Sequence, residues 1–350
     1  MIQHFVLYAP NVHSGGGFVL LNALLASWTD STPLTAFLDV RAQVHLSVPR
    51  NAHVIWVTPD PRSRLKAEFG LSKATGVKST VLCFHGLPPL LPNSAHIIVF
   101  MQNRLYLTHK LPSKAKLKTR VRLTLERFVG KIFRHRVAEY IVQTPSMQRA
   151  TLKWYVGGSS IQPPVIRVLP FVEASHSLPA RNGSIWKWDF AYVADGEAHK
   201  NHRVLLAAWQ LLAQEGLRPS LALTLSPRDA VLKRELERLV AAEGLHIKDL
   251  GQMPHADVLV LYATAKAMIF PSTSESFGLP LVEATQLGLP ILAPELDYVR
   301  DVCSPAHTFD PASPVSIARA VKRFLAVPEP VLQLRSPQDF WKELLLENRA

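Results

Sequence analysis

"FPSTSESFGLPLVEATQLGLP", residues 270–290, sets two glutamates eight positions apart around Phe277, Gly278 and Leu279. The run that leads into it, "AKAMIFPS" (265–272), is apolar without alternation, as a strand buried on both faces would be. Pro280 suits the first turn of a helix, and Gly288 with Pro290 would stop that helix. The stretch therefore reads as a strand, a loop carrying Glu275 and Ser276, and a helix with Glu283 one turn in. The same strand–helix alternation recurs on the N-terminal side, and that recurrence decides the fold.

Apolar runs of strand length stand at 4–10, 53–58, 80–84, 96–101, 140–144 and 165–170, with helical patterns between several of them, notably 18–28 and 115–136. The polar stretch "EASHSLPARNGS" (173–184) has no periodicity. Alternation then restarts with strands at 189–195, 220–226 and 246–251 and helices at 202–216, 228–244 and around 255–264. Two such blocks predict an α/β protein of two doubly wound, Rossmann-like domains facing a cleft. The expected division is 1–173, a linker at 174–186, a second domain at 187–332, and a closing helix at 333–350.

The 350 residues are 48% hydrophobic and 19% charged, which fits a folded chain and not a disordered one. Cys83 and Cys303 form no CxxC pair, so neither a disulfide framework nor a zinc site is expected. "MIQHFVLYAP" lacks the features of a signal peptide, and no apolar run approaches the roughly 20 residues of a membrane span. A cytoplasmic protein is expected. Its formal net charge of +12 calls for an anionic partner. Residues 109–136 concentrate that charge, with ten Lys and Arg against the single acid Glu126.

Several loops suit an anionic ligand. Amides of Phe277, Gly278 and Leu279 would lie at the positive end of a helix, and Glu283 is placed to accept from vicinal hydroxyls such as those of a ribose. Gly15, Gly16 and Gly17 stand between a strand and a helix and permit close approach of a phosphate. No G-x-G-x-x-G or Walker lysine is present, which speaks against NAD binding and ATP hydrolysis. In "VADGEAHKNH" (193–202), Gly196, His199 and Lys200 follow a strand, where a cation suits a leaving diphosphate. Each feature also has a plain alternative: a solvated acid, a flexible glycine loop, a solvated helix start.

The longer stretch "FPSTSESFGLPLVEATQLGLPILAPELDYVRDV" resembles the signature of family 4 glycosyltransferases, retaining enzymes of GT-B architecture. That motif is a Glu, seven residues and a second Glu, with Phe-Gly-x-Pro inside and Gly-x-Pro before a strand. The resemblance implies that Glu275 contacts the transferred sugar and Glu283 the ribose of the nucleotide. It also implies that the backbone from Ser276 to Leu279 faces the diphosphate. Lys200-Asn201 matches the family's Lys followed by Gly or Asn, whereas His199 stands where an Arg often precedes it. "VLCFHGLPPLLP" (81–92) and "VFMQNRLYLTHK" (99–110) resemble a bacterial branch of the family. Gln102-Asn103 occupies the place of a frequent His, so either His85 or Asn103 is expected to line the sugar site.

What the resemblance implies is a retaining hexosyltransferase whose donor is a nucleoside diphosphate sugar, without cofactor or metal. The acceptor would be a glycan or lipid-linked glycan of a bacterial surface polysaccharide: lipopolysaccharide, O-antigen or capsule. In 109–136, Leu117, Val121, Leu125, Phe128, Val129 and Ile132 recur at helical spacing among the basic residues. This reads either as a helix for an anionic membrane surface or as a packed helix with a solvated basic face. The expectation taken from it is peripheral attachment to the inner face of the cytoplasmic membrane, weakening with salt. Rival readings are a nucleic-acid-binding protein, although no nucleic-acid module is visible, an inactive scaffold suggested by His199, and a nucleotide-sugar epimerase.

Overall fold

The computed structural model describes residues 4–29, 32–108, 117–157, 162–172, 179, 181 and 186–329. Most of the expected linker 174–186, residues 109–116 of the basic segment and the expected helix 333–350 lie outside the described residues. The first half runs β1 (His4–Ala9), α1 (Gly15–Ala26), β2 (Leu34–Asp39), β3 (His53–Val57), α2 (Pro61–Ala74), β4 (Ser79–Cys83) and β5 (His96–Phe100). It continues with α3 (Leu117–Phe133), β6 (Glu139–Val142), α4 (Pro145–Val156) and β7 (Val165–Val168). The second half runs β8 (Trp188–Tyr192), α5 (His202–Gln214), β9 (Leu221–Leu223), α6 (Ala230–Glu243), β10 (Ile247–Asp249) and α7 (His255–Ala263). It closes with β11 (Ala265–Ile269), α8 (Leu279–Gln286), β12 (Ile291–Pro294), α9 (Asp297–Arg300), β13 (His307–Phe309) and α10 (Pro314–Phe324).

The strands form two parallel sheets, in the orders β3-β2-β1-β4-β5-β6-β7 and β10-β9-β8-β11-β12-β13. Both orders reverse direction once, between β1 and β4 and between β8 and β11. Doubly wound sheets bind ligands in the crevice beyond the carboxyl ends of the strands at such a reversal. The segments that follow β1, β4, β8 and β11 carry Gly15–Gly17, His85, Gly196–Lys200 and Glu275–Leu279. The topology thus gathers residues from four distant parts of the chain.

Helices cover both faces of each sheet, so the strands are mostly apolar. Leu7, Leu21, Leu38 and Phe84 fill one side of the first sheet, while Val6, Val81, Tyr140 and Met147 fill the other. The second sheet packs around Phe190, Tyr192, Trp209 and Phe270, all 0–1% exposed. β2 did not stand out in the sequence, because Thr35 and Asp39 dilute "LTAFLD". Both are nonetheless buried: Thr35 Oγ1 meets His4 Nε2 at 2.9 Å, and Asp39 takes two bonds from the Arg41 guanidinium. Burial would raise the Asp39 carboxyl, but Arg41 outweighs it and holds the group below its ordinary range.

One local expectation is corrected. The three glycines do not form a loop ahead of the helix: α1 begins at Gly15, and Gly15–Gly17 are its first turn. Gly15 is left-handed at φ 68°, a conformation that favours glycine, and crowding accounts for the other two. A Cβ on Gly16 would lie 3.0 Å from Leu279 Cδ1, and one on Gly17 would lie 3.2 Å from Gln102 Oε1.

Candidate active site

Lys200 ends a short 3-10 turn, Ala198–Lys200, that follows β8. Its carbonyl accepts from Tyr192 Oη at 2.6 Å, and Asn201 behind it adopts the left-handed conformation, φ 62°. Asn201 Nδ2 donates to Pro271 O (3.1 Å) and Pro311 O (2.7 Å), so the turn is tied to the segments after β11 and β13. The left-handed φ gives a physical reason for Asn at this place: Gly and Asn are the residues that adopt it at least cost. The His199 carbonyl accepts from Thr273 N at 2.8 Å.

This stitching brings Lys200 Nζ to 2.7 Å from Glu275 Oε1, with side chains 17% and 11% exposed. Ser272 Oγ donates to the same oxygen at 2.6 Å. The pair is thus a shielded, charge-assisted hydrogen bond in a cleft. His199 turns the other way, with Nδ1 3.4 Å from Glu197 Oε2.

The α8 N-terminus opens on the same spot. Gly278 is left-handed at φ 78°, and Leu281 and Val282 donate back to its carbonyl. No described backbone carbonyl accepts from the amides of Phe277, Gly278 or Leu279. Those amides, at the positive end of the helix, are where an anion would be held. Glu283, on the next turn of α8, accepts from His255 Nε2 at 3.0 Å.

The first half faces this site directly. Leu279 contacts Gly16, so the first turns of α1 and α8 meet across the cleft. Arg104 N donates to Ser276 Oγ at 3.0 Å, and Arg104 Nη1 reaches Glu275 O at 3.5 Å. Thr144 Oγ1 donates to Ser276 O (3.3 Å), and Ser146 N donates to Asp301 Oδ2 (2.8 Å). Between the start of α1 and the segments that follow β8 and β9, a cavity of about 420 Å³ is lined by Gly15, Asp195, Thr224, Arg228, Gln252 and Met253, among others.

Three other predicted residues are held by contacts of their own. His85 rests edge-on against the Tyr8 ring at 5.3 Å, with Nδ1 3.3 Å from Tyr8 O. Burial pushes its imidazole down to about 4. Asn103 caps the turn Arg104–Tyr106 by accepting from Leu105 N at 3.0 Å. Gly196 is pressed against Asp229, whose Oδ2 accepts from its amide at 2.9 Å. Arg104 and His255 were not among the predicted residues. The signal for Arg104 was "QNR" at a strand end, whereas His255 at the start of an unremarkable helix gave none. Among the described residues, no three His, Cys, Asp or Glu side chains gather as a metal group would need.

Against this geometry, residues 185–336 match the family model described as "Glycosyl transferases group 1". Residues 185–336 are a glycosyl transferases group 1 domain. The chain is 37% identical over 125 residues to O-antigen chain mannosyltransferase B of Escherichia coli, covering 35% of this chain and 32% of that protein. It is 32% identical over 168 residues to the serotype-specific mannosyltransferase WbdA of Escherichia coli, covering 45% of this chain and 20% of that protein. The matched stretch is thus less than a third of either relative. Among solved structures, Anabaena HepE in complex with UDP superposes with a TM-score of 0.66 at 14% identity, over 92% of this chain and 90% of that one. Sucrose-phosphate synthase from Thermosynechococcus elongatus gives 0.63 at 18% identity, over 93% and 90%. These likenesses show the fold: the group 1 domain and the first sheet together have GT-B architecture.

Proposed function

We propose that this protein is a retaining glycosyltransferase of the family 4 type. Its reaction moves a hexose from a nucleoside diphosphate sugar to a hydroxyl of a glycan or lipid-linked glycan in bacterial surface polysaccharide synthesis. Mannose is the sugar favoured by the names of the Escherichia coli relatives. The observation that carries the reading is the Lys200–Glu275 pair set beside the uncommitted amides of the α8 N-terminus. A cation, a carboxylate and oriented N–H groups within one shielded pocket suit a sugar diphosphate better than any other common metabolite.

In this reading the diphosphate lies on the Phe277–Leu279 amides, the nucleoside enters the cavity of about 420 Å³, and Glu283 receives the ribose hydroxyls. Glu275 faces the sugar. Negative charge grows on the departing diphosphate as the glycosidic bond breaks, and Lys200 stabilises it, with Arg104 the second cation in reach. Retention follows if the incoming hydroxyl attacks on the face the diphosphate leaves and gives its proton to a phosphate oxygen. The side-chain cations supply the charge that this chemistry needs, so no metal or organic cofactor is part of the proposal. Work at the cytoplasmic face of a membrane is also part of it, supported by the basic run at 109–136.

The test is a panel of GDP-mannose, UDP-glucose and UDP-N-acetylglucosamine, read by thermal shift and by release of the nucleoside diphosphate. One donor should raise the melting temperature by several degrees and be slowly hydrolysed, and Glu283→Ala should lose both effects. No shift with any nucleoside diphosphate or nucleotide sugar would overturn the reading.

A further inference from the structure

α3 presents a surface that the cleft does not use. Val121, Leu125, Phe128 and Ile132 are 61%, 61%, 62% and 44% exposed. Spacings of four, three and four residues align them along one side of the helix. The opposite side is already committed to the fold. Leu123 is 1% exposed, and a Cβ on Gly130 would lie 3.6 Å from Leu87 and 3.7 Å from Trp154. Arg127 Nε donates to Leu105 O at 2.8 Å, fastening the helix to the turn after β5. The exposed line is therefore a second apolar face, additional to the one that packs.

Its borders are basic. At 100° per residue, Arg122 falls on one flank of the line and Arg120 with Lys131 on the other, and all three are exposed. The one acid of α3, Glu126, is largely shielded and lies 3.8 Å from Arg122. Large apolar side chains between cations of a single sign are the composition of a helix lying in a bilayer interface. The apolar residues enter the acyl boundary while Lys and Arg reach back to phosphates. The surrounding run, with ten Lys and Arg to one Glu over 109–136, complements an anionic lipid surface.

We infer that α3 docks on an anionic bilayer by inserting Val121, Leu125, Phe128 and Ile132, with Arg120, Arg122 and Lys131 at the headgroups. This deepens the membrane part of the proposed function and does not depend on the donor chemistry. It differs from attachment by charge alone, because the inserted side chains hold in high salt. It also positions the cleft. α3 is bonded to the turn Arg104–Tyr106, and Arg104 contacts Ser276 and Glu275, so one turn separates the bilayer-facing helix from the site. An acceptor carried on a lipid would need such closeness.

The experiment is flotation of the full chain with phosphatidylcholine vesicles, with and without phosphatidylglycerol, at 0.1 and 1 M salt (about 10 and 3 Å of screening length). Wild type is compared with Leu125→Gln/Phe128→Gln and with Arg120→Gln/Arg122→Gln/Lys131→Gln. Circular dichroism and the donor thermal shift confirm that each variant is folded. Wild type should float with the anionic vesicles and keep a measurable share of its binding at 1 M salt. The apolar variant should lose binding tenfold or more at both salts, and the charge variant should lose its preference for anionic lipid. Absence of wild-type flotation, or an apolar variant that floats as well as wild type, would overturn the inference. A wild-type dimer that the apolar variant turns into a monomer, with no lipid binding in either, would overturn it in favour of contact between copies.

Discussion

Asn201 lets the construction of the site be tested apart from its chemistry. Its side chain makes two hydrogen bonds, to Pro271 O and Pro311 O, while its backbone sits at φ 62°. Asn201→Gly keeps the left-handed backbone but removes both bonds, at about 1 kcal/mol each, for a loss of about 2 kcal/mol. Asn201→Ala removes the same bonds and also places a Cβ in the left-handed region, which adds about 1 kcal/mol. For a domain of this size 1 kcal/mol corresponds to about 3 °C, so the melting temperature should fall by about 6 °C for Gly and about 9 °C for Ala. Differential scanning calorimetry of wild type and both variants measures this. Nucleoside diphosphate affinity should fall in the same order, because the turn that Asn201 ends carries Lys200. The backbone argument is refuted if the alanine variant is as stable as the glycine variant.

A double-mutant cycle with Lys200→Met and Glu275→Gln should show a coupling of about 2 kcal/mol in urea unfolding. Breaking a buried pair costs about 3–5 kcal/mol, and here Ser272 remains on Glu275 and some exposure survives. Additive effects would mean that the pair contributes nothing. His255→Ala should weaken nucleoside diphosphate binding about fivefold by calorimetry, since Glu283 loses one orienting hydrogen bond worth about 1 kcal/mol; unchanged affinity would remove His255 from the site. His202 is 4% exposed, tilted against the Tyr192 ring at 4.8 Å, and burial pushes its imidazole down to about 3. The unfolded chain therefore takes a proton near pH 6.5 that the folded chain refuses until near pH 3, so stability falls as pH falls through that window. Between pH 7.5 and 5 the loss from this residue is about 2 kcal/mol, and His202→Phe should abolish that share of it in urea titrations at the two pH values.

The two-sheet architecture was legible because parallel strands buried on both faces leave nearly continuous apolar runs, and β1, β4, β5, β8 and β11 do so, with a lone charge at Asp189 in β8 and at Lys266 in β11. β2 was hidden because its two polar residues are satisfied by His4 and Arg41, partners that only the fold supplies. β13, with three residues at a sheet edge, is too short to leave a pattern. At the site, the α8 turn was readable because its geometry is local (a strand end, a proline at a helix start, a glycine with positive φ), and Lys200 and Glu275 were readable from the motifs around them, although their pairing across 75 positions was not. Arg104 and His255 were not, since each acts on a residue far along the chain, 171 positions away for Arg104 and 28 for His255. For α3 the periodicity announced an apolar face that suited either a membrane surface or packing, without deciding between them. Leu123 and Gly130 against Trp154 and Leu87 decide that, and they leave Phe128 outside.

The central claim is that the crevice between Lys200, Glu275 and α8 binds a nucleoside diphosphate. The most direct measurement is a crystal structure with the nucleoside diphosphate that the donor panel selects. The account predicts phosphate oxygens within hydrogen-bond reach of Lys200 Nζ and of the amides of Phe277–Leu279, with the ribose on Glu283. A diphosphate bound elsewhere, with the α8 amides facing only water, would contradict it.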